Sequence, residues 1–260
     1  MRDIFNNLGP ADRICDPIGQ MPRKQMKSRL PERFYKEVSM APVKGGFAVL
    51  LDGSKVMTPA RCELVLPTGA LARLVAGEFC LQEEVINPAK MPVTRLANTV
   101  IDGIAGDPQP VIEDILRFVA ADMLFYRVES PRELAMQQSE QWDPVLDWAA
   151  REMGAYFITA ERIMHIEQPQ EAIAAVSLYL RRFTSPFALT ALHTMTTLTG
   201  SALIALGMAA GEIDVARGWR LAHLDENWTI ERWGKDAEAE ARRSCRENEI
   251  CAAAAVLAAS

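Results

Sequence analysis

The chain has 260 residues, more than the roughly 100–150 of a usual single domain, so the length calls for two domains or one large one. Hydrophobic residues make up 49% of it, enough for a sizeable core, and the formal charge is -6. An acidic chain lacks the basic surface that phosphate contacts need, which argues against nucleic acid as the main partner.

Residues 1–30 are polar, are punctuated by Gly9-Pro10, Asp16-Pro17 and Met21-Pro22, and read as a flexible leader. Asp3, Asp12 and Asp16 interrupt it and no apolar stretch follows, so it is neither a signal peptide nor an acid-poor presequence. Between Arg23 and Lys36 six basic residues face one acidic one, a patch that suits a solvated tail or an acidic surface.

From Arg33 the texture is that of β-structure. Phe34–Met40 forms a strand candidate, and Gly45-Gly46 opens a second at Phe47–Leu51. Asp52-Gly53 is a two-residue hairpin signal that returns the chain through Lys55–Met57, and Cys62–Leu66 is a fourth short strand. Thr68 then caps a helix to about Glu84, with Leu71, Leu74, Val75 and Phe79 on one face. Asn87-Pro88 ends this unit. In the helix that follows, Arg95, Asn98 and Asp102 align beside Leu96, Val100 and Ile104, a polar seam that could tie two domains together or meet a partner.

Helical periodicity takes over from Pro108. Val111, Ile112, Ile115, Leu116 and Val119 mark one helix. Ser130-Pro131-Arg132-Glu133 reads as a capping box with Pro at the first helical position, and Pro144 must kink or break the helix it starts. Tyr156–Thr159 reads as an extended link, and Gln170–Phe183 as a helix. Phe187–Gly211 has no Asp, Glu, Lys or Arg. Its length alone would allow a membrane span of about 20 residues. Its six Ser and Thr residues and its clustered Gly and Ala point instead to a buried core helix. Asp214 caps a further helix to His223.

The five cysteines are an odd number, widely spaced and without a C-x-x-C pair, and His165, His193 and His223 have no i, i+4 spacing. Neither a disulfide framework nor a metal site is suggested, and a reducing compartment is the natural inference. Gly45-Gly46 lacks the context of a phosphate loop, and the chain has no G-x-S-x-G elbow. No cofactor is expected.

The densest chemistry lies near the end: Asp225, Glu226 and Trp228, then Trp233-Gly234-Lys235-Asp236, then Glu238 and Glu240. Two tryptophans and six carboxylates fall in sixteen residues. Read as one helix, Trp233, Asp236, Ala237 and Glu240 are spaced i, i+3, i+4, i+7 and share a face, while Glu238 lies on the other side. That pattern fits a solvated charged face above core tryptophans. It also fits a recognition helix whose carboxylates meet an Arg or a backbone nest. Trp142 and Trp233 are assigned to packing.

This stretch resembles the C-terminal motif of the Atp-twelve family, the assembly chaperones of the ATP synthase F1 sector, which reads Asp-Glu-x-Trp and then Trp-Gly-x-Asp-x-Glu-Ala. The resemblance extends to Arg33-Phe34-Tyr35-Lys36-Glu37-Val38, to Gly45–Gly53, to Thr58-Pro59-Ala60, to Met91–Gly103 and to Gln141–Trp148. It spans roughly residues 31 to 245.

The residues predict an α+β protein: the leader at 1–30, a small sheet-and-helix domain at 31–90, and a mainly helical domain of five or six helices at 91–260. The resemblance implies the same division. It also implies a chaperone that binds the unassembled alpha subunit until beta arrives, and no enzyme. The expected client-binding residues are Glu240, Asp236, Glu238, Asp225, Glu226, Trp228 and Trp233, and the expected inter-domain seam is Arg95, Asn98 and Asp102. A monomer without a membrane span is expected, in a bacterial cytoplasm or, were the chain eukaryotic, in the mitochondrial matrix. Two other classes stay open: a carboxylate-dependent enzyme built on Asp225, Glu226, Asp236 and Glu240 and acting on a small polar substrate, and an interaction module for another client.

Overall fold

The computed structural model describes residues 30–160 and 166–260. The leader up to residue 29, with Cys15, and His165 lie outside the described residues. A four-stranded antiparallel sheet is followed by a mainly helical region, the α+β class expected from the sequence. Cα packing groups the described residues up to Gly106 with Ala241–Ser260 as one unit, and Asp107–Glu240 as a second. The position 90/91 lies inside the first unit.

In the first unit β2 (Gly46–Leu51) is central. It pairs with β1 (Val38–Val43) on one side, and with β3 (Ser54–Lys55) and β4 (Val65–Leu66) on the other. The Asp52-Gly53 turn forms as expected, with both residues at positive φ. The Asp52 carboxylate accepts from the Glu37 and Lys36 amides, and these bonds hold its pKa below the usual carboxylate range. Gly46 is required by space: a Cβ there would stand 2.1 Å from the Leu66 carbonyl oxygen. β1 starts later than Phe34, because Tyr35 turns inward, buries its ring and donates its hydroxyl to the Phe79 carbonyl.

Helix α1 (Gly69–Cys80) begins where Thr68 accepts from the Leu71 amide, and buries Leu71, Val75 and Phe79. It ends at Cys80, four residues before the expected end, because the next segment is extended and pairs Val85 with Glu32. Glu78 on α1 is 9% exposed, and its carboxylate accepts from Val93 N–H, Thr94 N–H and the Thr94 hydroxyl. It thereby caps α2 (Pro92–Thr99), which continues as one wide turn through Val100–Ile104. From Ala241 onward, α10 (Ala237–Ala259) buries Ile250, Ala253 and Val256 in this unit.

The second unit is built around two helices. The apolar stretch expected as one helix is divided: α6 (Pro186–Thr199) stops at Gly200, which takes φ +69°, and α7 (Ala202–Ala209) starts anew with Ser201 as cap. Thr190, Thr196 and Thr199 stay buried because each donates its hydroxyl to the carbonyl four residues back, as the half-buried Thr194 also does. Around this pair stand α3 (Gln109–Ala120), α4 (Arg132–Met153), α5 (Gln170–Leu180), α8 (Val215–Ala222) and α9 (Leu224–Trp233). Nine α-helices, α2 to α10, fall between residues 91 and 260 among the described residues, more than the five or six expected; Gly200 and Gly234 divide stretches that the pattern left joined. Helix α4 runs through Pro144 without a break, and its N-cap is Pro131, with no side-chain cap, in place of the expected capping box. Asp214 caps α8 as expected.

Asp122 is fully buried behind α7. Its carboxylate accepts from the Ser201 hydroxyl and the Leu203 amide at the start of α7, and from the Leu124 amide. Removal from water pushes its pKa up to about 6 against those hydrogen bonds. Among the described residues no helix is long and apolar enough to cross a membrane, and no group of three or more His, Cys, Asp or Glu is placed to hold a metal ion. Cys62, Cys80 and Cys251 are free and exposed, whereas Cys245 is disulfide-bonded, against the expectation of unpaired thiols.

Candidate functional site

The acidic, Trp-bearing stretch folds as two helices. Helix α9 ends at Trp233, Gly234 follows at φ +90° and ψ 177°, and α10 starts at Ala237. That backbone geometry is open almost only to glycine. The single face expected for Trp233, Asp236, Ala237 and Glu240 therefore does not exist, since the helix that would carry it is broken between its first two members. Asp236 is the cap of α10, accepting from the Glu238 and Ala239 amides. Glu240 is exposed and forms an ion pair with Lys235 at 2.6 Å. Glu238 is also exposed.

On α9 the burial alternates sharply. Trp228 is buried, and its ring meets that of Trp233 edge-on with centroids 5.6 Å apart. Its indole Nε1–H is enclosed without an acceptor among the described residues. Trp233 is 72% exposed, so its assignment to packing is corrected. It stands at the last turn of α9, beyond the reach of the core that holds Trp228. Trp142, in contrast, is 1% exposed and donates its indole N–H to the Leu221 carbonyl at 3.0 Å, as a packing residue should.

Two participants were missed in the sequence. The Arg232 guanidinium lies 3.6 Å from the centre of the Trp228 ring and pairs with Glu133 of α4. The i, i+4 spacing of Trp228 and Arg232 is a local signal for the first contact. The second joins residues 99 apart, and no spacing rule reveals it. Gln138 is the other, a position whose place within helix α4 signals no role here. It is fully buried and donates to the Asp225 carboxylate while accepting from the Val128 amide, which holds the start of α9 against α4. Glu226 is exposed beside it.

The four carboxylates of the enzymatic alternative thus have different surroundings. Asp225 meets Gln138, Asp236 caps a helix and Glu240 meets Lys235, all at the surface. What the stretch presents to solvent is an indole face beside a cation and flanked by carboxylates. Such a surface suits recognition of a protein, where Trp and Arg most often carry the binding energy.

Arg95, Asn98 and Asp102 act within the first unit. Arg95 pairs with Glu249 of α10 at 2.7 Å. Asp102 accepts from the Thr58 hydroxyl and the Ala60 amide. Asn98 is buried, with its side-chain oxygen unpaired among the described residues. Arg95 therefore fastens α2 to α10, and Asp102 fastens the turn after α2 to the loop before β4.

Comparison with known proteins places these features. Residues 32–150 match the family described as ATP12 chaperone protein. A crystal structure from Agrobacterium tumefaciens, of a protein described as a candidate chaperone, is similar at 53% identity and a TM-score of 0.86, over 88% of this chain and 86% of that one. The structure of Atp12 from Paracoccus denitrificans is similar at 35% identity and a TM-score of 0.81, over 88% of this chain and 97% of that one. An Asp-to-Lys mutant of the Paracoccus protein matches equally well.

Proposed function

The chain belongs to the ATP12 chaperone family, and from that premise we propose that it binds the unassembled alpha subunit of the ATP synthase F1 sector and holds it until the beta subunit takes its place. Membership of the family supports a chaperone role in ATP synthase assembly; the choice of client is our own reading. An unassembled ring subunit exposes a large apolar interface that would otherwise aggregate. The cover must bind that interface and still yield to the true partner, a task that requires no catalysis and no nucleotide.

The observation that carries the reading is Trp233, 72% exposed, with its ring edge-on to that of the buried Trp228, over which Arg232 lies paired with Glu133. An exposed indole held in place loses little freedom on binding and has much surface to bury. Asp225, Glu226, Asp236, Glu238 and Glu240 would form the polar rim. We place the protein in the bacterial cytoplasm as a monomer. Isolated alpha subunit titrated onto the protein and onto Trp233→Ala tests the reading: at least ten-fold weaker binding by the variant, with its thermal midpoint kept, is the expected result. Equal binding would remove Trp233 from the client surface, and no binding of alpha to the parent would refute the choice of client.

A further inference from the structure

The first unit carries a second apolar surface, separate in sequence from the Trp233 region. Of the ten large hydrophobic side chains exposed among the described residues, Leu30, Phe34, Leu81 and Val85 come from just two short segments. These segments pair with each other. Arg33 N–H donates to the Glu84 carbonyl and Ile86 N–H to the Pro31 carbonyl, flanking an antiparallel bridge between Glu32 and Val85. Bonds in those positions make Glu32 and Val85 a non-hydrogen-bonded pair, whose side chains stand closest together on one face. By strand alternation Leu30 and Phe34 share the face of Glu32, and Glu83 shares the face of Val85. The burial follows this except at the bend: Glu32, Phe34, Glu83 and Val85 are exposed and Tyr35, Gln82 and Ile86 are buried, whereas Glu84, where the backbone bends, is exposed as well.

The platform under this face is tied down. The Arg33 guanidinium donates to the carbonyls of Tyr35 and Gln82 and lies 4.8 Å from the centre of the Tyr35 ring. The neighbouring base is thus drawn onto backbone carbonyls, and Glu32 and Glu83 remain among the apolar side chains. The face has an apolar centre and an acidic rim.

We propose that the face formed by Leu30, Phe34 and Val85 with Glu32 and Glu83 is a docking surface for an apolar segment of the client subunit that is flanked by Lys or Arg. The proposal rests on the reading of the chain as a chaperone for the alpha subunit. The occupant follows from complementarity. Burying Phe34 and Val85 calls for apolar groups, and two carboxylates beside them would be left without a counter-charge under any neutral or acidic partner. A held platform also loses little freedom when it is covered.

The test uses the full chain and isolated alpha subunit, with binding measured by titration calorimetry. Phe34→Ser with Val85→Ser should weaken binding by ten-fold or more at an unchanged thermal midpoint. Because the serine pair could disturb the fold, Glu32→Lys with Glu83→Lys is the second variant. It should also weaken binding about ten-fold and reduce the loss of affinity with added salt, while leaving circular dichroism unchanged. Parent affinity in both variants would overturn the docking surface and leave the chaperone reading standing. Failure of the parent itself to bind alpha would refute the client, and this proposal with it. Tighter binding by the serine variant would show that the chain covers this face itself. Dissociation of a parent dimer by that variant would show that a second copy does. Either result overturns the proposal.

Discussion

Trp142 and Trp233 lie in the same unit and use the same side chain in opposite ways. Trp142 sits in the middle of α4, is enclosed on all sides and finds a carbonyl for its N–H. Trp233 sits at the end of α9 beside a glycine break and stands out from the surface. The same contrast holds for two carboxylates that each accept backbone N–H groups at the start of a helix. Asp122 does so in complete burial at α7, and Asp236 does so in solvent at α10. The difference teaches that local chemistry selects the contact, whereas its worth depends on whether water can replace it.

The largest expected effect tests the buried member of the first pair. Trp142→Ala removes a packed indole and leaves the Leu221 carbonyl without its donor, and should cost about 3–5 kcal/mol. Trp233→Ala should change stability by less than about 0.5 kcal/mol, as substitutions at exposed sites do. Urea unfolding of both variants decides it, and equal losses would erase the contrast.

Asp122 sharpens the second pair through pH. Its folded pKa, about 6, is above its unfolded value of 3.8, so the folded state holds the proton more tightly. Its contribution to stability is greatest below the unfolded value and is lost as pH rises through about 6, a change on the order of 3 kcal/mol. The free energy of unfolding of the parent minus that of Asp122→Asn, measured from pH 4 to 7, should therefore fall with rising pH. A flat difference would mean that the hydrogen bonds from Ser201, Leu203 and Leu124 offset the burial.

A smaller effect is expected at the break itself. Gly234→Ala forces a Cβ into a backbone conformation reserved for glycine and should cost about 1–3 kcal/mol. If stability holds and Trp233 fluorescence shifts to the blue, α9 and α10 have joined and the exposed indole is a product of the break. The smallest effect is expected at Glu240. Its ion pair with Lys235 lies in solvent, so Glu240→Gln should alter the thermal midpoint hardly at all, within the roughly 0–1 kcal/mol typical of surface pairs. A large loss would show that the end of the second unit is held more firmly than its exposure indicates.

The sequence by itself determined those features whose cause lies within a few residues. The Asp52-Gly53 turn, the Thr68 and Asp214 caps, and the inward faces of α1 and α3 follow from spacing and from the few side chains able to accept a helix's first amides. The motif resemblance located the Trp-bearing stretch for the same reason, since its residues are adjacent. Only the tertiary structure decided the outcomes that depend on distant groups. It divided Phe187–Gly211 at Gly200, where Asp122, some eighty residues earlier in the chain, offers a carboxylate to a new helix start. It set Arg232 between Trp228 and Glu133, buried Trp142 and exposed Trp233. Burial is a property of what packs around a residue, and helical periodicity carries no information about a neighbour that arrives from another part of the chain.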